Sequence, residues 1–239
     1  MIIFRLMSTI TRNLLAVSIA ILPINFIMIC YRLTQTEGFS TTDMLIYPLI
    51  FGGGSIILIL LLNKYLVRDS FKSTFNPGKG TLYKDVLVGL GLTVIYFAMF
   101  FLERATLYQW IPNNNPPNTE IFDTIRYISS RPILIFIWFV PVLWIGVALF
   151  EELSRTFLLK CLWNISDNKG WEVFVIFIAS ALIGIVHLYQ GTAGIISIGL
   201  KSLVACFYFY RYRRLFPLII SHALYDGLQI AFLIVQLQG

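Results

Sequence analysis

Charged residues are scarce in this chain, and apolar residues dominate it. Only 13% of its 239 residues are charged, whereas 58% are hydrophobic and the mean hydropathy is +0.80. A soluble domain has about 25% charged residues, so the composition excludes an ordinary soluble enzyme or binding module. The sequence predicts an integral membrane protein.

Several familiar motifs are also missing. The three cysteines, Cys30, Cys161 and Cys206, form no CxxC pair, and an odd number argues against a disulfide framework, so we expect packing residues. No HExxH occurs, and the usual zinc-peptidase helix is therefore absent. The chain shows no internal repeat that would favour a transporter with inverted repeats.

The basic residues bear on topology more than on ligands. The net charge of +6 does not indicate nucleic-acid binding, because most basic residues lie in short loops beside apolar segments. There they meet anionic headgroups, so we expect membrane lipids as partners and no nucleic acid. Basic residues at 64–84, at 211–214, and at Arg5 and Arg12 fall on one side, which predicts a cytoplasmic N-terminus.

The apolar segments predict an all-α fold. About seven of them reach the ~20 residues that a membrane-spanning helix requires. They predict a polytopic transmembrane helical bundle of about seven spans, forming a single membrane-embedded domain over residues 1–239. The segments lie at approximately 13–31, 44–67, 85–102, 132–163, 171–189, 192–210 and 215–236. In the long fourth segment, Pro132 and Pro141 predict breaks, with 132–140 tilted or interfacial.

Three clusters of ionisable residues interrupt the apolar segments. They are Glu151 and Glu152 with Arg155, then His187, then His222 with Asp226. One acidic residue at membrane depth costs about 2.5–3.5 kcal/mol, so each cluster needs polar partners. One shared site would satisfy all three, and we expect them to converge. Because His187 ends one segment and His222 begins another, convergence requires tilted or offset helices.

The spacing within the clusters suggests chemistry. Arg155 lies four residues from Glu151 and three from Glu152, so it can reach either carboxylate of a helix. Asp226 lies four residues from His222 and can fix its tautomer. The set suits a glutamate base that activates water, with histidines stabilising an oxyanion. It also suits zinc, and separate structural ion pairs remain an alternative.

These residues stand in three motifs that resemble those of a known family. The motifs are EELSR at 151–155, IGIVH at 183–187 and HALYD at 222–226. In their order along the chain they resemble EExxxR, FxxxH and HxxxN or HxxxD of the CPBP family, which includes CAAX-prenyl endopeptidases, Abi-type proteins and bacteriocin-processing or immunity proteins. The likeness covers about residues 141–230, a CPBP-like catalytic core. Two positions depart: Arg155 stands one residue early, with Thr156 in its place, and Ile183 replaces phenylalanine.

The resemblance implies an intramembrane endopeptidase of glutamate type in a bacterial cell membrane, without a cofactor. It implies that Glu151 activates water, that Glu152 and Arg155 support it, and that His187, His222 and Asp226 complete the site. The implied substrate is a membrane-associated protein or peptide, either prenylated or of bacteriocin type.

Two alternatives stay open. The shifted Arg155 favours a catalytically inactive immunity or scaffold protein of the same fold. A zinc-dependent protease would hold its metal with Glu151, His187 and His222.

Overall fold

The protein is an all-α membrane bundle. The computed structural model describes residues 7–34, 40–111 and 119–238, and in these ranges the chain contains no strand. Seven of the described helices are long and apolar enough to cross a membrane, which confirms the predicted polytopic bundle. They are α1 (Thr9–Thr34), α2 (Thr41–Val67), α4 (Leu82–Ala105), α7 (Pro132–Trp163), α8 (Lys169–Val186), α9 (Gly191–Tyr212) and α10 (Phe216–Gln238).

Three shorter helices lie in the connections. They are α3 (Phe71–Phe75), α5 (Leu107–Trp110) and α6 (Thr119–Ser129). The predicted connection at 103–131 is therefore largely helical, and its Asn- and Pro-rich part at 112–118 lies outside the described residues. Arg5, which contributed to the topology prediction, lies outside them as well.

Helix α7 corrects the predicted break in the fourth segment. Pro132 begins the helix, and the chain continues without interruption through Pro141 to Trp163. Residues Trp138–Leu149 form π-helical turns, which are wider than α-helical turns and accommodate the ring and the missing N–H of Pro141. Regular α-helix resumes at Phe150, so both glutamates occupy its first turn.

The π-helical part of α7 lies directly against a second π-helical turn in α2. A Cβ atom added to Gly146 would lie 2.8 Å from the carbonyl carbon of Pro48, and one added to Gly52 would lie 2.5 Å from the oxygen of Gly146. The two backbones touch because neither glycine has a side chain, as at many close helix crossings in membranes. This contact fixes α7 just before its glutamates.

Helix α10 packs closely along the length of α4, and contacts at two levels fix its position along α4. The Arg214 guanidinium forms an ion pair with buried Asp85 and donates a hydrogen bond of 2.9 Å to the Gly78 carbonyl. Further along, the ring centroids of Tyr96 and Tyr225 are 5.8 Å apart. Since α10 begins immediately after Arg214, these contacts fix the position of His222 on its second turn.

Candidate active site

Glu151 lies between the two histidines of the chain. Its Oε1 is 3.9 Å from Nε2 of His187, and its Oε2 is 3.8 Å from Nε2 of His222. The Glu151 side chain is 27% exposed and both imidazoles are 14% exposed, so the group is shielded but not sealed. The ends of α8 and α10 are thus offset enough for the predicted convergence. Both distances exceed direct hydrogen-bond length and leave room for a bridging water.

Glu152 has a different environment from its neighbour. Its side chain is 2% exposed and accepts hydrogen bonds of 2.5 Å at both oxygens from Nη1 of Arg155. Nδ1 of His222 donates a third, at 2.8 Å. A carboxylate that accepts from a guanidinium and an imidazole in a buried site is an ionised, structural group.

The position of Arg155 follows from these contacts. Of the two partners that the sequence allowed, it takes Glu152, three residues away, as its hydrogen-bonding partner. Thr156, which stands where the family motif has arginine, is fully buried and donates to the Glu152 carbonyl at 2.8 Å. The one-residue shift therefore leaves the second glutamate with a guanidinium partner.

His222 is held by carboxylates on both sides of its ring. Nδ1 contacts Glu152, while Nε2 lies 3.3 Å from Oδ2 of Asp226 and 3.8 Å from Glu151. Carboxylate oxygens accept and do not donate, so this setting favours a hydrogen on each ring nitrogen. The predicted pairing of His222 with Asp226 is present in the geometry.

His187 is oriented by the backbone of its own helix. Its Nδ1 lies 2.8 Å from the Ile183 carbonyl oxygen, which can only accept, so Nδ1 carries the hydrogen and Nε2 is turned toward Glu151. Ile183 stands where the family motif has phenylalanine, and it contributes to this contact through its carbonyl, which any residue supplies. Helix α8 ends here, and Gly191, with φ of 77°, begins α9 four residues beyond His187.

A cavity of about 260 Å³ joins these side chains. A single water needs only about 10–15 Å³ of such volume, so the cavity has space for several waters and part of a peptide. Its walls come from five helices and carry more polar than apolar residues: Tyr96, Phe100, Tyr108, Glu151, Glu152, Arg155, His187, Gln190, Ser197, Ile198, Lys201, Ser202, His222, Tyr225, Asp226 and Gln229.

The sequence analysis missed a second polar cluster at this cavity. Nζ of Lys201 donates to Oε2 of Glu103 at 2.5 Å and to Oγ of Ser197 at 2.6 Å. Glu103 lies just beyond the predicted segment at 85–102, but α4 continues to Ala105 and buries Glu103, which is 5% exposed. An available signal was Lys201 itself, since a lysine within a predicted span is a functional candidate by default.

The geometry does not favour a zinc ion. Among the described residues, no group of three or more His, Cys, Asp or Glu side chains is placed to hold a metal. The candidate ligand His222 points both ring nitrogens at carboxylates, whereas a zinc ligand needs one nitrogen free of hydrogen. The set Glu151, His187 and His222 therefore does not fit a zinc centre as it stands.

Comparison with known proteins adds the family. Residues 133–228 match the family model of type II CAAX prenyl endopeptidase Rce1-like proteins. Over this segment, which is less than half of the chain, the protein is similar to Rce1-like proteins. The Rce1-like segment begins with α7, ends within α10 and contains all six predicted site residues. No curated protein and no solved structure matches the chain.

Proposed function

We propose that the protein is an intramembrane endopeptidase that hydrolyses a peptide bond of a membrane-associated substrate with water activated by Glu151. One observation carries this proposal. The two oxygens of Glu151 face Nε2 of His187 and Nε2 of His222 at 3.9 and 3.8 Å inside a polar cavity at membrane depth. The match of residues 133–228 to the Rce1-like family model supports the reaction class.

The proposed roles follow from the contacts of each group. Glu151 takes a proton from the water, since it is the partly exposed carboxylate and Arg155 is bonded to Glu152 instead. His187 presents Nε2 to that water as an acceptor. His222 donates to the oxyanion of the tetrahedral intermediate from Nε2, because its Nδ1 is occupied by Glu152.

Asp226 orients His222 in this scheme. Carboxylate oxygens accept hydrogen bonds and do not donate them to an oxyanion, and Oδ2 of Asp226 lies 3.3 Å from Nε2 of His222. The cavity supplies the water that hydrolysis consumes, because hydrocarbon cannot. The mechanism needs no metal, in keeping with the unsuitable arrangement of the three candidate zinc ligands.

The substrate belongs to the membrane in this proposal. The bundle has seven candidate spans, so a peptide must approach from lipid or from the membrane surface. A prenylated protein or a bacteriocin-type peptide meets that requirement, and lipids with anionic headgroups suit the basic loops. The cytoplasmic N-terminus and the bacterial membrane remain predictions.

A cleavage assay tests the proposal. Purified protein in detergent is incubated with a mixture of N-acylated dodecapeptides, and products are identified by mass spectrometry. Glu151→Gln removes the base but keeps the shape, and we expect it to lower turnover by about 10²–10⁴-fold. Asp123→Asn, an equivalent change at an exposed carboxylate of α6, is the matched control and keeps full activity.

Three outcomes separate the alternatives. Unchanged turnover in Glu151→Gln contradicts the mechanism. Activity that disappears with a chelator and returns with zinc supports the metal-dependent version. A protein that cleaves none of the peptides, while Glu151→Ala still binds a partner peptide, is the inactive scaffold or immunity protein.

A further inference from the structure

Lys201 is a partly buried cation that borders the same cavity as Glu151. We propose that it is a substrate-binding residue that donates a hydrogen bond to a main-chain carbonyl oxygen of the bound peptide. The inference rests on the proposed function insofar as a peptide occupies this cavity. None of the family motifs includes Lys201.

Two of the three N–H groups of Lys201 donate hydrogen bonds to described residues of the protein. Its ammonium has three N–H groups; one donates to Oε2 of Glu103 and one to Oγ of Ser197. The Ser197 hydroxyl uses its own hydrogen on Glu103, at 2.6 Å, so it accepts from the lysine. Within the described part of the chain, no acceptor takes the third N–H. The side chain is 13% exposed and lines the cavity, and that N–H is available to a ligand there.

The neighbours of Lys201 hold the ammonium in place. Glu103 lies on α4, whereas Ser197 lies one turn before Lys201 on α9, so two helices fix the head of a flexible side chain. The ring of Tyr225, on α10, is a third neighbour, with its centroid 5.7 Å from Nζ. Tyr225 directly precedes Asp226, so the anchored ammonium stands beside the catalytic wall of the cavity.

Charge decides which acceptor is suitable. Glu103 already compensates Lys201, so the pair adds no net positive charge to the cavity. Three other carboxylates line it, Glu151, Glu152 and Asp226, and they outnumber the cations Arg155 and doubly protonated His222, so the cavity disfavours a further anion. A neutral carbonyl needs only a donor and suffers no such repulsion. Lys201 is therefore better matched to a peptide carbonyl than to a carboxylate.

A peptide at membrane depth needs such a donor. An unsatisfied carbonyl in an apolar setting costs several kcal/mol, and a substrate drawn out for cleavage has given up its helical hydrogen bonds. When Lys201 binds one carbonyl of the substrate, it fixes the position of the peptide along the cavity, so that a neighbouring peptide bond lies close to Glu151.

Binding measured without turnover tests the proposal. The probe is the dodecapeptide that the Glu151→Gln protein binds most tightly, carrying fluorescein and read by anisotropy. In that background, we expect Lys201→Met to raise Kd about tenfold and Lys201→Arg, which keeps a donor, to stay within about threefold. Lys79→Met, at an exposed lysine, is the matched control and leaves Kd unchanged.

Ester-substituted peptides identify the acceptor. Replacing one amide of the peptide by an ester weakens one carbonyl acceptor. At one position along the peptide, we expect this replacement to raise Kd about tenfold when Lys201 is present. In Lys201→Met, the same replacement should raise Kd no further. If amidation of the peptide C-terminus shows that coupling instead, Lys201 binds a carboxylate and the proposal is overturned. It is equally overturned if Lys201→Met lowers thermal stability but leaves every Kd unchanged, since the lysine then only stabilises the packing of α4 against α9. Failure of the peptidase proposal is separate, because it is read from turnover in Glu151→Gln.

Discussion

The two adjacent glutamates should respond in opposite ways to the same substitution. Glu152→Gln removes the carboxylate that is hydrogen-bonded to the guanidinium of Arg155, which is 6% exposed, and it weakens the acceptor of His222. Breaking a buried ion pair in this way costs about 3–5 kcal/mol, because the remaining charge stays buried without compensation. Glu151→Gln alters a carboxylate that is 27% exposed, so we expect a stability change of at most about 1 kcal/mol.

These energies correspond to a measurable difference in melting temperature. For a chain of this size, 1 kcal/mol shifts the midpoint by about 2–4 °C, so Glu152→Gln should lower it by about 6–20 °C. Cys161 and Cys206 are buried free thiols, and a thiol-reactive fluorescent dye therefore reports unfolding in detergent. The double variant Glu152→Gln/Arg155→Gln removes both charges and should recover part of the loss.

Equal melting temperatures for the two single variants would refute this reasoning. Glu152 would then not be the structural partner of Arg155, and the two glutamates would not differ in role, with Glu151 as the base and Glu152 as a structural group. A double variant that melts below Glu152→Gln would contradict the ion-pair explanation in particular, because no unpaired charge remains in it.

Two further predictions concern helix packing and the orientation of a histidine. Gly146→Ala places a methyl group against the Pro48 backbone and should destabilise the protein by about 1–3 kcal/mol, whereas a methyl group at Gly53 meets nothing within 4 Å, so Gly53→Ala should not. Thermal unfolding measures both variants, and equal midpoints would contradict the close contact. Asp226→Asn keeps an oxygen that accepts from His222 and should retain turnover within about tenfold. Asp226→Ala removes that acceptor and should lose about 10–100-fold of the turnover in the cleavage assay. Equal losses would show that Asp226 does not act by accepting a hydrogen bond from His222.

The sequence predicted the spans well because hydrophobic length is a strong signal. All seven predicted segments correspond to long helices, since a chain in lipid must satisfy its backbone hydrogen bonds within each segment. The prediction failed at Pro141, where proline was expected to break the helix. Hydropathy contains no information on π-helical turns, which depend on packing against α2.

The candidate site was predictable in composition but not in detail. Ionisable residues at membrane depth are few, so the six residues were identifiable by their cost. The partner of Arg155 was not, because spacings of three and four residues both permit contact on a helix. Glu103 was missed because it lies at the end of an apolar segment, where a carboxylate usually meets headgroups. Its burial depends on Lys201, nearly a hundred residues later.

The backbone contact between Gly52 and Gly146 limits how far the Rce1-like segment can act as an independent module. The segment that matches the Rce1-like model starts at residue 133, so the surface against which α7 rests belongs to the unmatched half of the chain. A fragment excised at residues 133–228 loses that supporting surface, together with Tyr96 from the cavity wall and Glu103, the partner of Lys201. Grafting the three motifs onto another membrane scaffold must therefore reproduce a glycine-lined neighbour for the glutamate helix.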